Sequence, residues 1–291
     1  MADTDTDTLA ATESSGDPGA ITPTPRPPWW KGTLAAMLRG TLALVLLMVV
    51  WEAVRIGFDF DPVTMPSVGT VAKFFVSRTS QGQVFWSFLL DNMWVTAKGA
   101  VMGLILGIIS GLLVGIAIAQ NRYVRGGLLP LVVAAQTVPI VAIAPAVVLF
   151  LGTGTASKTA VAGFLTFFPV AVSTARGLQS VPVESVNLLR TYNASAVSVL
   201  SGVKLPFALP IIFVGLETSA AFSVVGAIVA ELPFGSKDGL GVIILSSWQF
   251  YTIQPASLYC TVIGTCVLGA FIVGAIRLAA RLIPSARHRH I

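Results

Sequence analysis

The sequence predicts an all-α membrane protein with six transmembrane helices, and three observations carry that expectation. Apolar residues make up 55% of the 291-residue chain and charged residues 11%, with a mean hydropathy of +0.84. Soluble domains carry about a quarter charged residues. The apolar residues come in unbroken blocks: Ala100–Ala119 and Gly126–Ser157 hold no ionisable residue, and a bilayer core takes about 20 such residues as helix. Finally, the basic residues stand dispersed at the ends of the blocks. The net charge of +5 therefore reads as a topology signal and not as a nucleic-acid surface.

In chain order, residues 1–32 read as a disordered cytoplasmic tail and interfacial anchor. Asp3, Asp5, Asp7, Glu13 and Asp17 stand among Thr and Pro, without the basic start and short apolar core of a secretory signal. Trp29, Trp30 and Lys31 suit the membrane interface. A first transmembrane helix covers 33–56, an external loop with an amphipathic stretch 57–93, a helical core 94–284 and a basic cytoplasmic tail 285–291. The six spans fall at Thr33–Val54, Val95–Ala119, Leu128–Leu151, Thr159–Gly177, Phe207–Ala230 and Leu258–Pro284.

The Lys/Arg bias sets the orientation. One side carries Arg26, Lys31, Arg39, Arg122, Arg125, Arg176, Arg190, Lys204, Arg277, Arg281, Arg287 and Arg289. The other has Arg55, Lys73, Arg78, Lys98, Lys158 and Lys237, interleaved with Asp59, Asp61, Asp91, Glu231 and Asp238. Positive-inside places both termini in the cytoplasm.

Within the second span, Gly99, Gly103, Gly107, Gly111 and Gly115 recur at every fourth position. They form a ridge without side chains on one helix face, suited to a tight seam at the heart of the bundle or to general membrane packing. The third block is too long for one straight span and is punctuated by Pro130, Pro139 and Pro145. Such broken helices line a cavity or pack on protein. Gln136 and Thr137 beside Pro139 put polar groups near mid-membrane, to bond either a passing solute or another helix. Cys260 and Cys266, six positions apart in the last block, face different sides of a helix, which argues against a disulfide and for two small apolar core residues.

The segment Gln179–Pro210 between the fourth and fifth spans is the most informative. Pro182 and Glu184 suit the first turn of a helix. Val183, Val186 and Leu189 form an apolar side with Leu188 and Tyr192 adjacent, and Asn193 suits a left-handed stop. This loop resembles the coupling loop of ABC importer permeases, E-A-A-x3-G-x9-I-x-L-P. Aligned on Leu205–Pro206, Val203 takes the Ile position, Asn193 the Gly position, and Asn187, Leu188 and Leu189 the E-A-A triplet. The triplet itself is absent, and Asn replaces Gly.

Met65–Pro66–Ser67, QTVPIVAIAP from Gln136, FFPVAVSTARGL from Phe167 and GAIVAELPFGSKDGLGVII from Gly226 resemble one subfamily, which imports nitrate, sulfonates, taurine or thiamine-pyrimidine precursors. The resemblance covers about residues 60–284. It implies a type I ABC importer permease fold with a cytoplasmic coupling helix, in the bacterial plasma (inner) membrane, with 94–284 as its permease core domain. It further implies a second permease copy (a homodimer), two cytoplasmic ATPase subunits and an extracytoplasmic solute-binding protein. ATP and Mg would sit on the ATPase, leaving no cofactor and no catalysis on this chain.

Docking to the ATPase falls to Leu188, Leu189, Tyr192, Asn193, Ala194 and Ser195. The translocation pathway would use Gln136, Thr137, Pro139, Phe167, Phe168, Glu217, Ser219 and Ser223. The form QTVPIVAIAP leans toward a thiamine-pyrimidine-type heterocycle. Intramembrane carboxylates mark ion pathways, so Glu217 keeps open an ion-coupled secondary transporter or channel. A membrane enzyme is disfavoured: the chain holds no HExxH, no Gly-x-Ser-x-Gly and no phosphate-binding loop, and His288 and His290 stand in the basic tail. No metal site is expected.

Overall fold

The computed structural model describes residues 29–80, 82–232 and 236–282, with side chains from residue 38 onward. The acidic tail, the side chains of Trp29, Trp30 and Lys31, the end of the last expected span at Pro284 and the basic tail lie outside the described residues. The chain forms two compact units, divided after Val54.

The first unit contains helix α1 (Trp29–Gly57) as far as Val54. Every side chain from Leu38 to Val50 is exposed. A helix apolar on all sides meets lipid or another protein, not water.

The second unit is built from α2 (Val68–Phe75), α3 (Phe85–Gln120), α4 (Arg122–Ala135), α5 (Ile140–Leu151), α6 (Thr155–Gln179), α7 (Val183–Thr191), α8 (Ala196–Val199), a π turn at Leu200–Lys204, α9 (Leu205–Glu231), α10 (Leu240–Gln249) and α11 (Pro255–Leu282). Its heart is α3, α6 and α9. The five glycines of α3 are buried and face Lys158, Ala162, Thr166, Val170 and Thr174 of α6. A Cβ on Gly111 would stand 2.7 Å from Val170 Cβ, and one on Gly115 2.6 Å from Thr174 Cβ. Only a residue without a side chain lets the two backbones approach this closely. Thr166 ties the three helices together: its hydroxyl lies 3.2 Å from Gly103 O, and its carbonyl accepts from Ser219 Oγ at 3.0 Å.

The register fixes the topology. Gly99 meets Lys158 and Gly115 meets Thr174, so α3 and α6 run in the same direction. Gly226 meets Ala162 and Gly215 meets Ser173, so α9 runs against them. Two parallel neighbours require the chain to return across the bundle between them, and α4 with α5 makes that return. Among the described residues, five helices are long and apolar enough to cross a membrane, and the bent pair, read as one span, makes a sixth. The pair turns by 92° at residues 136–139. Of the three prolines expected to punctuate this block, only Pro139 sits at the break, as the N-cap of α5; Pro130 and Pro145 lie inside α4 and α5.

Several boundaries differ from expectation. Helix α3 starts ten residues before Val95, inside the expected external loop, because Phe85 and Leu89 pack into the core with Val71 of α2. Helices α6 and α11 begin at Thr155 and Pro255 rather than Thr159 and Leu258. The fifth span continues an unbroken helical run from Ala196. Helix α10 was not expected: ten residues are too few to read as a span. Helix α2 starts directly after Met65–Pro66–Ser67, with Ser67 Oγ accepting the Thr70 N–H at 3.2 Å. Both cysteines are free; Cys260 is buried, whereas Cys266 is exposed and not a core residue.

Candidate coupling, translocation and latch sites

Helix α7 follows Pro182, has Glu184 in its first turn and Arg190 in its last, and so satisfies its dipole at both ends. It closes with a Schellman arrangement. The Asn193 N–H donates to Arg190 O at 2.9 Å and the Ala194 N–H to Leu189 O at 3.1 Å. Asn193 takes φ 57°, the left-handed conformation that asparagine tolerates. Ser195 then caps α8, its Oγ accepting the Ser198 N–H at 3.2 Å.

This geometry divides the expected docking residues. Leu189 and Ala194 point inward, onto a small core of Val181, Val186 and Val199 with Val203 and Phe207. Leu188 and Tyr192 point outward, 59% and 77% exposed, and Asn193 and Ser195 stand at the surface turn between the helices. Val183 and Val197 are exposed as well. For Val183 this departs from the packed side expected for it with Val186. The loop thus presents an apolar outer face on a rigid base.

The expected pathway residues do not form one lining. Gln136, Thr137 and Pro139 sit exposed at the α4–α5 break, where the Thr137 hydroxyl donates to Ala134 O at 2.7 Å. Gln136 and Phe168 border a cavity of about 160 Å³ with Val138, Phe164, Pro169 and Phe222. Phe168 is buried and packs edge-on against both Phe164 and Phe167. Ser219 and Ser223, in contrast, are fully buried. Their hydroxyls are committed to Thr166 O and Ala220 O, at 3.0 and 2.8 Å. They serve helix packing in this chain.

Glu217 is not an isolated carboxylate: its Oε2 lies 2.9 Å from Arg277 Nε on α11. Among the described residues, no group of three His, Cys, Asp or Glu comes together to hold a metal.

A fourth constellation escaped the sequence reading, which placed Lys158 and Glu231 among solvent-facing loop charges. The two form a buried ion pair with Nζ–Oε1 at 2.9 Å and side-chain exposures of 4% and 0%. The Thr96 hydroxyl lies 2.9 and 3.0 Å from the two Glu231 oxygens and accepts the Leu240 N–H at 2.9 Å. The Gly241 N–H donates to Glu231 Oε2 at 2.8 Å, the Gly239 N–H to Asn92 Oδ1 at 2.7 Å, and Lys158 Nζ also to Asp238 O at 3.0 Å. Four helices meet here, and every charged group has partners, as buried charges require.

Glycines make the approach feasible. Gly239 takes φ 122°, and a Cβ there would fall on the Glu231 carboxylate. A Cβ on Gly99 would stand 2.6 Å from Lys158 Cβ. The partners Thr96 and Glu231 lie 135 positions apart, so no local spacing marks them. In the sequence, Glu231, Gly239 and Gly241 all fall within the GAIVAELPFGSKDGLGVII stretch.

Comparison with known proteins follows the same lines. The sequence profile of the family described as binding-protein-dependent transport system inner membrane component matches residues 103–288. The riboflavin transport system permease protein RibX of Chloroflexus aurantiacus is 36% identical, over 70% of this chain and 74% of its own. The formylaminopyrimidine transport permease protein ThiX of Halalkalibacterium halodurans is 33% identical, over 70% of this chain and 78% of its own. Among solved structures, an inward-facing MetNI methionine ABC transporter superposes with a TM-score of 0.55 at 17% identity. The match covers 68% of this chain and 96% of the matched one, which is a likeness of fold.

Proposed function

Because this chain belongs to the family of binding-protein-dependent transport system inner membrane components, we propose that it works as one of two identical permease subunits in an ATP-driven importer. It is a multi-pass membrane protein and a non-catalytic transport component. In the proposed assembly both termini face the cytoplasm, α7 docks on a separate ATPase subunit that binds ATP and Mg, and a solute-binding protein delivers the cargo to the outer face.

The observation that carries this reading is the α7–α8 loop. Leu188 and Tyr192 stand exposed on a helix whose other face is packed and whose end is capped. In water such side chains favour a partner surface. The E-A-A triplet is replaced by Asn187, Leu188 and Leu189, so the contact supported here is apolar, made by Leu188 and Tyr192 with Val183 and Val197 at its edge.

Relatives named for riboflavin and for formylaminopyrimidine support a small planar heterocycle as cargo, ahead of a sulfonate, taurine or nitrate. Phe164, Phe168 and Phe222 beside Gln136 offer apolar walls with one amide, a chemistry suited to a ring that bears polar edges.

The test is purification of the tagged chain from its native membrane with whatever accompanies it. The native chain is expected to bring down a subunit with ATPase activity, and Leu188→Asp with Tyr192→Ala to lose it while remaining monodisperse. A chain that purifies alone even after cross-linking would overturn the importer reading.

A further inference from the structure

The buried Lys158–Glu231 pair is poorly explained by stability alone. Removing two charges from water costs several kcal/mol per ion, and well-packed apolar residues of similar volume often do as well or better. What an apolar pair would not do is satisfy the start of α10. That helix begins after Gly239 with no side-chain cap of its own. Its first N–H groups, from Gly239, Leu240 and Gly241, are taken by Asn92, Thr96 and Glu231. The first two stand on α3 and the third on α9, while Lys158 reaches in from α6. These three N–H groups are thus capped from neighbouring helices. Helix α10 supplies Ile243, Ser246 and Ser247, with Phe250 just beyond its end, to the wall of a 380 Å³ cavity that Arg78 and Phe85 also line.

We propose that Glu231, with Lys158 as its counter-charge, is a positioning residue that latches α10 to α3, α6 and α9, so that this cavity wall travels with the three-helix heart through the transport cycle. The proposal rests on the importer reading for its cycle. Its geometry rests on this chain alone.

The experiment is a pair of spin labels on the purified complex with its ATPase, at Ala156→Cys beside the start of α6 and Gln249→Cys on α10, both exposed, in a Cys266→Ser background. With the native latch, the distance is expected to stay the same in the nucleotide-free state and in the magnesium-ATP-vanadate state. The double variant Lys158→Met/Glu231→Met removes both charges together, so none is left buried without a partner. It is expected to keep the assembled complex but to broaden that distance and to lose solute-dependent ATPase stimulation, with basal hydrolysis retained. A native distance that shifts between the two states overturns the proposal, and so does a variant whose distances and stimulation match the native protein's. If the variant fails to assemble, the native comparison still decides. Absence of any ATPase would sink the importer reading instead, and is seen before labelling begins.

Discussion

At the scale of single residues, Asn193 shows how a departure from a family pattern is absorbed. The position needs a left-handed backbone, met by glycine in the coupling-loop pattern and by asparagine here, at φ 57°. Asn193→Gly is therefore expected to leave the thermal midpoint of the purified chain unchanged. Asn193→Val places a β-branched residue in that conformation and is expected to cost about 1–2 kcal/mol, read as a lower midpoint. Ala194 carries a different lesson. It would serve as an uncoupling site if it faced outward, but it packs with Leu189 against Val186 and Val199. Ala194→Lys is expected to lower thermal stability by about 1–3 kcal/mol through overpacking, whereas Leu188→Asp leaves stability intact and abolishes association with the ATPase.

At the scale of elements, the glycine ridge of α3 and its partner face on α6 form one seam with a common four-residue step. The ridge is visible in the sequence as a repeat, but apart from Gly163 the residues that meet it are not glycine and carry no matching signal. A branched substitution at Gly111 would overlap Phe167 O and Val170, whereas a Cβ at Gly126 in α4 meets nothing within 4 Å. Gly111→Val is expected to abolish recovery of monodisperse protein in detergent size-exclusion chromatography, and Gly126→Ala to leave it unchanged. Equal recovery of both would show that close backbone approach is not what holds α3 on α6.

At the scale of the whole molecule, the parallel run of α3 and α6 settles that the bent pair α4–α5 crosses rather than dips and returns. In a Cys266→Ser background, Tyr123→Cys in the first turn of α4 and Thr153→Cys after α5, both exposed, are expected to react with an impermeant maleimide from opposite sides of the membrane. With both termini cytoplasmic, Tyr123 would label from inside and Thr153 from outside. Labelling of both from one side would make the pair a re-entrant hairpin and would contradict the register of the seam.

The sequence by itself determined the properties that live within a single stretch of chain. These are the apolar blocks long enough to cross a bilayer, the glycine repeat and the Asn193 turn. Each depends on neighbours within one or two helical turns, where spacing fixes which side chains share a face. The tertiary structure decided everything that depends on partners far along the chain. It put Ser219 and Ser223 into packing and paired Glu217 with Arg277. It also turned Leu189 and Ala194 inward, and drew Lys158 and Glu231 out of the loops to cap α10. A charge is read from sequence as solvent-facing because burial is costly unless a partner stands within hydrogen-bonding reach. Whether one does is settled only when helices separated by scores of residues are packed side by side.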